Sequence, residues 1–296
     1  LPAPTASGPC VAVIANGELY VVDVGSNSPR NLGRMGWPVA ALEGVFITHF
    51  HSDHIDGLGE IMTLRWAGGD FDTPLPVYGP TGIDRVVAGF NEAYALDFGY
   101  RQAHHGDAVA PLNAAGSQAV SFIKPPAGET VRLVEKDGLV IEAFAVTHAP
   151  VEPAVGYRFT YKDRSVVITG DTVKDPNIVE MSRGADLLVH EALAANLVAL
   201  LNEGARNNQQ VNLTRITHDI PDYHATPIDA AETAAEAGVG HLLYYHIVAA
   251  LIVPGQERLF LNGAEDIFED FTIGHDGVAF SLPANSDEII QISEGL

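Results

Sequence analysis

The densest group of chemically capable side chains occupies positions 48–54, which read Thr-His-Phe-His-Ser-Asp-His. This segment directly follows a short apolar run that we predict as a buried strand. Imidazole and carboxylate are ligands for zinc, iron or manganese. Alternation along an extended chain places His49 and His51 on one side, and the turn beyond them carries Asp53 and His54 to a neighbouring position. We therefore predict that this one segment serves two metal ions.

Three further side chains of ligand type follow predicted strands later in the chain. His148 ends Leu139–Val146, Asp171 ends Ser165–Thr169, and His246 ends His241–Tyr245. A single histidine at the end of a strand is commonly structural. Together with the first segment, however, these residues supply the six or seven nitrogen and oxygen donors that a pair of ions requires.

This order of motifs, H-x-H-x-D-H followed by a His, an Asp and a final His, resembles the metallo-β-lactamase superfamily. The resemblance runs from about Leu19 to His246. It implies an α/β fold, an αββα sandwich of two mixed β-sheets covered by helices. It also implies two divalent metal ions, with Zn²⁺ favoured and Mn²⁺ or Fe as alternatives. The implied ligands are His49, His51 and His148 for one ion, Asp53, His54 and His246 for the other, and Asp171 as a bridge between them.

Two further motifs resemble the tRNase Z and arylsulfatase-like branch of that superfamily. They are Val189-His190-Glu191-Ala192 and Tyr223-His224-Ala225-Thr226. In that branch the Glu and the His form a proton-delivering pair, which implies catalytic roles for Glu191 and His224. His190 directly precedes Glu191 and is expected to lie next to the residues that bind the metals.

Two aspartates are expected to act on the ions and their ligands. Asp53 is expected to orient or deprotonate the attacking water. Asp23, in Val-Asp-Val-Gly, resembles the family's Asp-x-Gly turn, which lies near the metals. We expect it to form a hydrogen bond with a ligand histidine and so fix the tautomer of that imidazole.

Charge and spacing guide the prediction of the substrate. The chain has 16 Lys and Arg against 38 Asp and Glu, a net charge of −22, and such a chain repels a phosphate backbone unless it has a basic patch. tRNase Z enzymes have a long arm between the His and bridging-Asp motifs, whereas only 23 positions separate His148 from Asp171. We therefore expect a hydrolase of small anionic esters, phosphodiesters or aryl sulfates, that uses a metal-bridging hydroxide. Its partner is expected to be a small molecule, with nucleic acid disfavoured.

Three alternatives stay open. The first is a tRNase Z-like endonuclease acting at the 3′ end of tRNA. The second is opening of a β-lactam or lactone ring. The third is a non-catalytic interaction scaffold, which predicts eroded ligands, although all seven positions are filled. Assembly into a homodimer is also left open.

Composition excludes several classes of protein. With 296 residues and 47% hydrophobic content, the chain is not intrinsically disordered. Apolar stretches such as Leu193–Leu201 fall short of the about 20 residues of a membrane helix. A single cysteine, Cys10, excludes an internal disulfide framework and a thiolate zinc cluster. No signal peptide is visible, so we expect a soluble protein and leave its compartment open between cytoplasm and export.

The candidate site residues must be positioned by the predicted hairpins and helices, which alternate along the chain. This alternation indicates mixed sheets covered by helices. We predict one domain over residues 1–296. Ala103–Gly128, which contains His104 and His105, is predicted to be a long surface loop. Hairpins are predicted at Val11–Ile14 with Leu19–Val22, Val131–Val134 with Leu139–Val146, Gly156–Tyr161 with Ser165–Thr169, and Phe271–Ile273 with Val278–Ser281. Helices are predicted at Ile55–Trp66, Ile83–Leu96 and Pro227–Ala237.

Overall fold

A computed structural model describes residues 6–296, and these divide into two compact units. One unit comprises Ser7–Lys124 and the other comprises Pro125–Gly295 together with Ala6. Each unit has a hydrophobic core of its own. The single domain that we expect over residues 1–296 stays a prediction, and residues 1–5 lie outside the described part.

The unit of Ser7–Lys124 contains one five-stranded sheet with helices packed against it. Its strands lie in the order β1-β2-β3-β4-β5, with β1 and β2 antiparallel and the other neighbours parallel. The elements are β1 (Val11–Ala15), β2 (Glu18–Val22), α1 (Ser28–Arg34), β3 (Leu42–Phe46), α2 (Ser52–Ile55), α3 (Leu58–Gly68), β4 (Leu75–Pro80), α4 (Ile83–His105) and β5 (Ser117–Phe122).

Local sequence explains this sheet. Asn16 and Gly17 both have positive φ, 55° and 79°, which suits the two-residue hairpin between β1 and β2. The parallel strands bury apolar side chains such as Val21, Val45 and Val77, all fully enclosed. Residues of α3 and α4 complete the hydrophobic core. Their close packing holds the sheet rigid where these helices contact it.

The unit of Pro125–Gly295 contains a seven-stranded sheet in the order β12-β11-β10-β9-β8-β7-β6 and a separate pair, β13 with β14. Strands β6 to β9 pair antiparallel, and β9 to β12 pair parallel. The elements are β6 (Thr130–Lys136), β7 (Leu139–Ala145), β8 (Val155–Tyr161), β9 (Arg164–Ile168), α5 (Pro176–Ser182), β10 (Leu187–Leu193), α6 (Ala195–Asn207), α7 (Val211–Asp219), α8 (Pro227–Ala237), β11 (His241–Val248), α9 (Gln256–Leu261), β12 (Phe271–Ile273), β13 (Val278–Ser281) and β14 (Ile290–Glu294).

Helix α8 has strong signals at both ends. Thr226 accepts from the backbone of Asp229, the Asp229 side chain accepts from the backbone of Thr226, and Pro227 opens the helix. Gly238 ends it at φ 63°, in the left-handed region that glycine tolerates best. The buried face of α8 is lined by alanines, which let the helix lie close to its neighbours.

Three hairpins predicted from the sequence are confirmed, and the fourth is wrong. β12 pairs parallel with β11, whereas β13 pairs antiparallel with β14. The Asp-Gly turn between β12 and β13 is therefore a connection between two sheets. A turn dipeptide constrains the local chain direction, but the choice of pairing partner depends on distant strands.

The predicted helices also need correction. The helix expected over Ile55–Trp66 is divided into α2 and α3, with a break at Gly57. The loop expected over Ala103–Gly128 contains the end of α4 and all of β5. Helix α4 continues through Gly99 and ends only at Gly106, whose φ of 72° lies outside the helical region. Among residues 6–296, no helix combines the length and apolar character needed to cross a bilayer.

Candidate metal centre and acid pair

Strand direction gathers the ligand-type residues of the second unit at one edge of its sheet. β7, β9, β10 and β11 all run in the same direction, because β7 and β9 are each antiparallel to β8. His148 and Asp171 follow β7 and β9, and Glu191 and His246 lie in the later halves of β10 and β11. The carboxyl ends of like-directed strands share an edge, so these side chains come together.

The same rule operates in the first unit. β2 and β3 are parallel, so Asp23, directly after β2, lies beside the segment that follows β3. A backbone hydrogen bond from Asp23 N to Phe46 O joins the two strand ends. The H-x-H-x-D-H segment therefore begins from a rigid and buried position.

Asp23 organises the histidines of this segment. Its Oδ2 accepts from His54 Nδ1 at 2.7 Å and from Thr48 Oγ1 at 2.8 Å. The Thr48 hydroxyl has one hydrogen, donated to Asp23, so at 3.1 Å it accepts from His49 Nδ1. Both imidazoles are thus held with hydrogen on Nδ1 and a lone pair on Nε2. His49 Nε2 lies 3.0 Å from His51 Nδ1, so two ring nitrogens converge as metal ligands do.

The second unit fixes His148 in the same way. Its Nδ1 donates to the backbone carbonyl of Tyr223 at 2.8 Å, which leaves the lone pair on Nε2. This Nε2 lies 4.0 Å from Asp171 Oδ2, while His246 Nδ1 lies 2.6 Å from Asp171 Oδ1. The Asp171 carboxylate therefore has one imidazole beside each oxygen, and both oxygens are buried.

His246 does not end its strand, as the sequence predicts, but lies inside β11. Glu191 pairs with Tyr245 and Ala192 pairs with Ile247, so His246 is the extra residue of a β-bulge. Its φ of 43° is in the left-handed region, which is uncommon for a residue with a Cβ. Bulges re-aim side chains, and this one turns His246 to Asp171.

Glu191 and His224 form a buried pair. Glu191 Oε1 accepts from His224 Nδ1 at 2.9 Å, from Thr172 N at 3.0 Å and from Ala225 N at 3.2 Å. Burial raises the pKa of Glu191, and the charge and hydrogen bond of His224, together with the Thr172 N–H, oppose that rise. Although burial disfavours its charged form, the Glu191 carboxylate raises the pKa of His224. The pair is therefore suited to holding a proton on the imidazole.

The donors of each unit fit divalent metal ions. They are imidazole nitrogens and carboxylate oxygens, the set that zinc accepts, and hydrogen bonds donated to Asp23, Thr48 and the Tyr223 carbonyl fix the tautomers of three histidines. His49, His54 and His148 are fully buried, as expected of ligands held in place. Metal binding by such a cluster is supported, whereas the identity of the metal and the division of ligands between two ions stay predictions.

Asp53, His104 and His105 are more exposed than the fully buried His49, His54 and His148. The Asp53 side chain is 51% exposed and lies 3.9 Å from His54 Nε2, so it is reachable from solvent. His104 and His105 lie in the last turn of α4 and not in a loop, and both are exposed.

Sequence reasoning missed four groups that complete the arrangement. They are the Thr48 hydroxyl, the Tyr223 carbonyl, and the backbone N–H groups of Thr172 and Ala225. Three of these are backbone atoms, which every residue carries, so no residue type marks them. Thr48 has a weak signal, its place directly before the first ligand histidine.

Comparison with known proteins places this geometry in a family. The profile of the metallo-β-lactamase superfamily matches residues 4–232. A protein named Ribonuclease Z from Mycobacterium avium (strain 104) is 34% identical over 278 residues, 93% of this chain and 92% of the relative. Ribonuclease Z from Mycobacterium marinum (strain ATCC BAA-535 / M) is 35% identical over 283 residues, again 93% of this chain and 92% of the relative. The crystal structure of human tRNase Z, short form, is similar with a TM-score of 0.65 and 20% identity, covering 95% of both chains.

These relatives overturn the expected substrate. They are named for action on RNA, so small anionic esters as the main substrate, and aryl sulfates in particular, are wrong. The expectation that a small molecule is the partner and nucleic acid is disfavoured is wrong for the same reason. Net charge misled the prediction because it averages over the whole surface and does not report the local charge where a phosphate binds.

The expected fold class and the expected reaction class are supported by the same comparisons. An α/β fold with mixed sheets and helices, of the metallo-β-lactamase type, is confirmed by the profile and by structural neighbours. The chain is a metal-dependent hydrolase, which removes the non-catalytic scaffold from the alternatives. With a profile match over most of its length and relatives at 34–35% identity, this chain belongs to the metallo-β-lactamase superfamily, in the branch of the ribonuclease Z relatives.

Proposed function

We propose that this protein is an endonuclease that cuts precursor tRNA at its 3′ side. The similarity to proteins named Ribonuclease Z supports RNA as the substrate, and the human neighbour is named a tRNase. The structural observation that carries the proposal is the buried Glu191–His224 pair. Cleavage of RNA expels a ribose oxygen, a poor leaving group that needs a proton.

We propose zinc as the metal, with two ions per chain. The family resemblance supports the assignment, and so do the fixed tautomers of His49, His54 and His148. Bound ions of this kind supply a water of lowered pKa and positive charge for the phosphate. The proposed ligands are His49, His51 and His148 for one ion, Asp53, His54 and His246 for the other, and Asp171 for both.

The remaining steps of the proposed cleavage are assigned to Glu191, His224 and Asp53. Glu191 Oε1 accepts from His224 Nδ1, so the proton available for transfer is on His224 Nε2. In the proposed step, water adds to phosphorus and gives a proton to the Asp53 carboxylate, the bond to the ribose oxygen breaks, and that oxygen takes the His224 proton. Asp53, with its half-exposed carboxylate, is proposed to orient the attacking water.

The first experiment tests whether the protein cleaves precursor tRNA at one specific position. Zinc-loaded protein is incubated with a precursor tRNA that carries a 3′ trailer, and with an unstructured RNA of equal length and composition. We expect one cut at the boundary between the tRNA and its trailer, mapped from the product ends, and little cleavage of the control RNA. Equal and scattered cleavage of both RNAs, or none, would contradict the proposal.

The second experiment tests proton delivery. His224→Ala should lower the cleavage rate by about 10²–10⁴-fold, the usual contribution of a general acid, and Glu191→Gln should lower it less. When sulfur replaces the departing bridging oxygen the leaving group needs no proton, so the loss should largely disappear. His275→Ala, at an exposed histidine, is the matched control and should behave as wild type. An equal loss with oxygen and sulfur would exclude the acid role.

A further inference from the structure

His190 is a fully buried imidazole that the proposed reaction does not use. It lies in β10 beside Glu191, and its Nδ1 is 2.7 Å from the backbone oxygen of Glu191. A carbonyl only accepts, so Nδ1 carries the hydrogen and donates it. Burial lowers the pKa of His190 to about 4, so the ring is neutral at pH 7.

The peptide that receives this hydrogen bond lies where β10 and β11 shift register. Glu191 is the last residue before the shift, and Ala192 is the first one after it, with His246 as the extra residue opposite them. A bulge disrupts the ladder locally, so backbone groups there depend more on other partners. His190 provides such a partner from within the same strand.

Burial of the other ring nitrogen, Nε2, costs free energy of folding. His190 Nε2 is buried and has no hydrogen-bond partner among residues 6–296. An apolar side chain of similar size would avoid burying that nitrogen. What an imidazole adds at this position is the Nδ1–H donor, and its acceptor is the peptide carbonyl of Glu191.

We propose that His190 is a positioning residue: its bond to the Glu191 carbonyl holds the peptide at the bulge so that the Glu191 carboxylate meets His224. The catalytic consequence rests on the proposed function, since it assumes that this pair delivers a proton. The contact itself does not depend on that assumption.

The test compares two substitutions that differ in the donor. In His190→Asn the amide nitrogen takes the place of Nδ1, whereas His190→Leu fills the core without a donor. We expect His190→Leu to lower kcat on precursor tRNA by at least about tenfold with little change in KM. The loss should shrink when sulfur replaces the departing oxygen. His190→Asn should recover kcat to within about threefold of wild type.

His241→Leu, at a half-buried histidine of β11 that bonds to Thr272, is the matched control and should keep wild-type kcat. Wild-type kcat in His190→Leu would overturn the proposal. So would equal losses in the Asn and Leu variants, because the packing of the ring, and not the donor, would then matter.

A measurement without substrate separates this proposal from the proposed function. Ring ¹⁵N NMR of the wild-type protein at pH 7 should show His190 neutral, with hydrogen on Nδ1. Hydrogen on Nε2, or a charged ring, would overturn the contact. If the wild type cuts no precursor tRNA, the proposed function fails, yet this spectrum still decides whether His190 donates to Glu191.

Discussion

Asp23 Oδ2 and His54 Nδ1 lie 2.7 Å apart, and both side chains are fully buried. The same carboxylate oxygen reaches His49 through the Thr48 hydroxyl, so one residue outside the ligand set fixes two imidazoles. The orientation of both rings therefore depends on a single carboxylate.

Asp23→Ala should weaken metal binding by about 10–100-fold, the usual effect of removing a hydrogen-bond partner of ligand histidines. His54 loses its acceptor, and His49 loses the bond that orients Thr48. Competition with a chromophoric chelator measures the affinity. Asp70→Asn, at an exposed aspartate, is the control and should bind metal as wild type. Unchanged affinity in Asp23→Ala would show that the tautomers are fixed by other groups.

Removal of metal should abolish activity, and the loaded protein should contain close to two ions per chain. Asp171→Ala should be more damaging than loss of any one of the ligand histidines, because Asp171 is proposed to contact both ions. Elemental analysis and cleavage rates provide the measurements. Full activity with one ion, or equal metal content in Asp171→Ala and wild type, would contradict the shared-ligand assignment.

The buried His190 should make stability depend on pH. Its folded-state pKa of about 4 lies below the usual 6.5, so between these values the unfolded chain binds more protons. Stability is therefore lost as pH falls from 6.5 towards 4, by at most about 2 kcal/mol between pH 7 and pH 5. In metal-free protein, urea unfolding at these two pH values should show a smaller loss in His190→Leu than in wild type. Identical pH dependence would mean that the pKa of His190 is not lowered in the folded state.

Gly25 should tolerate no side chain. A Cβ there would lie 2.5 Å from the Asp53 carbonyl oxygen and would also overlap the backbone of Gly8. Because both neighbours are backbone, Gly25→Ala should destabilise the fold by about 1–3 kcal/mol and weaken metal binding through Asp53. Gly33→Ala, where nothing lies within 4 Å, is the matched control and should stabilise α1 by up to about 1 kcal/mol. Thermal melting with and without zinc measures both.

Most of the strand ends at the site could be predicted from the sequence. Each is marked by two independent signals, an apolar run and a residue of metal-ligand type just after it. The sequence did not indicate that His246 lies inside β11, since a bulge depends on the register between two strands far apart in the chain. The acid pair was predicted from motifs, but the backbone donors at Thr172 and Ala225 have no residue type of their own. The substrate class was wrong because net charge carries no information about where charges lie.

The N–H of Thr172 donates to Glu191 Oε1 at 3.0 Å, and Thr172 directly follows Asp171. One short turn therefore contains a proposed metal ligand and also donates a hydrogen bond to Glu191, the partner of the proposed proton donor. If ion binding at Asp171 alters the proton affinity of the Glu191–His224 pair, thermodynamic reciprocity requires that protonation of the pair alters ion affinity by the same factor. A calorimetric titration with zinc in buffers of different ionisation enthalpy counts all protons exchanged on binding, and the difference between wild type and Glu191→Gln would give the part that depends on the pair.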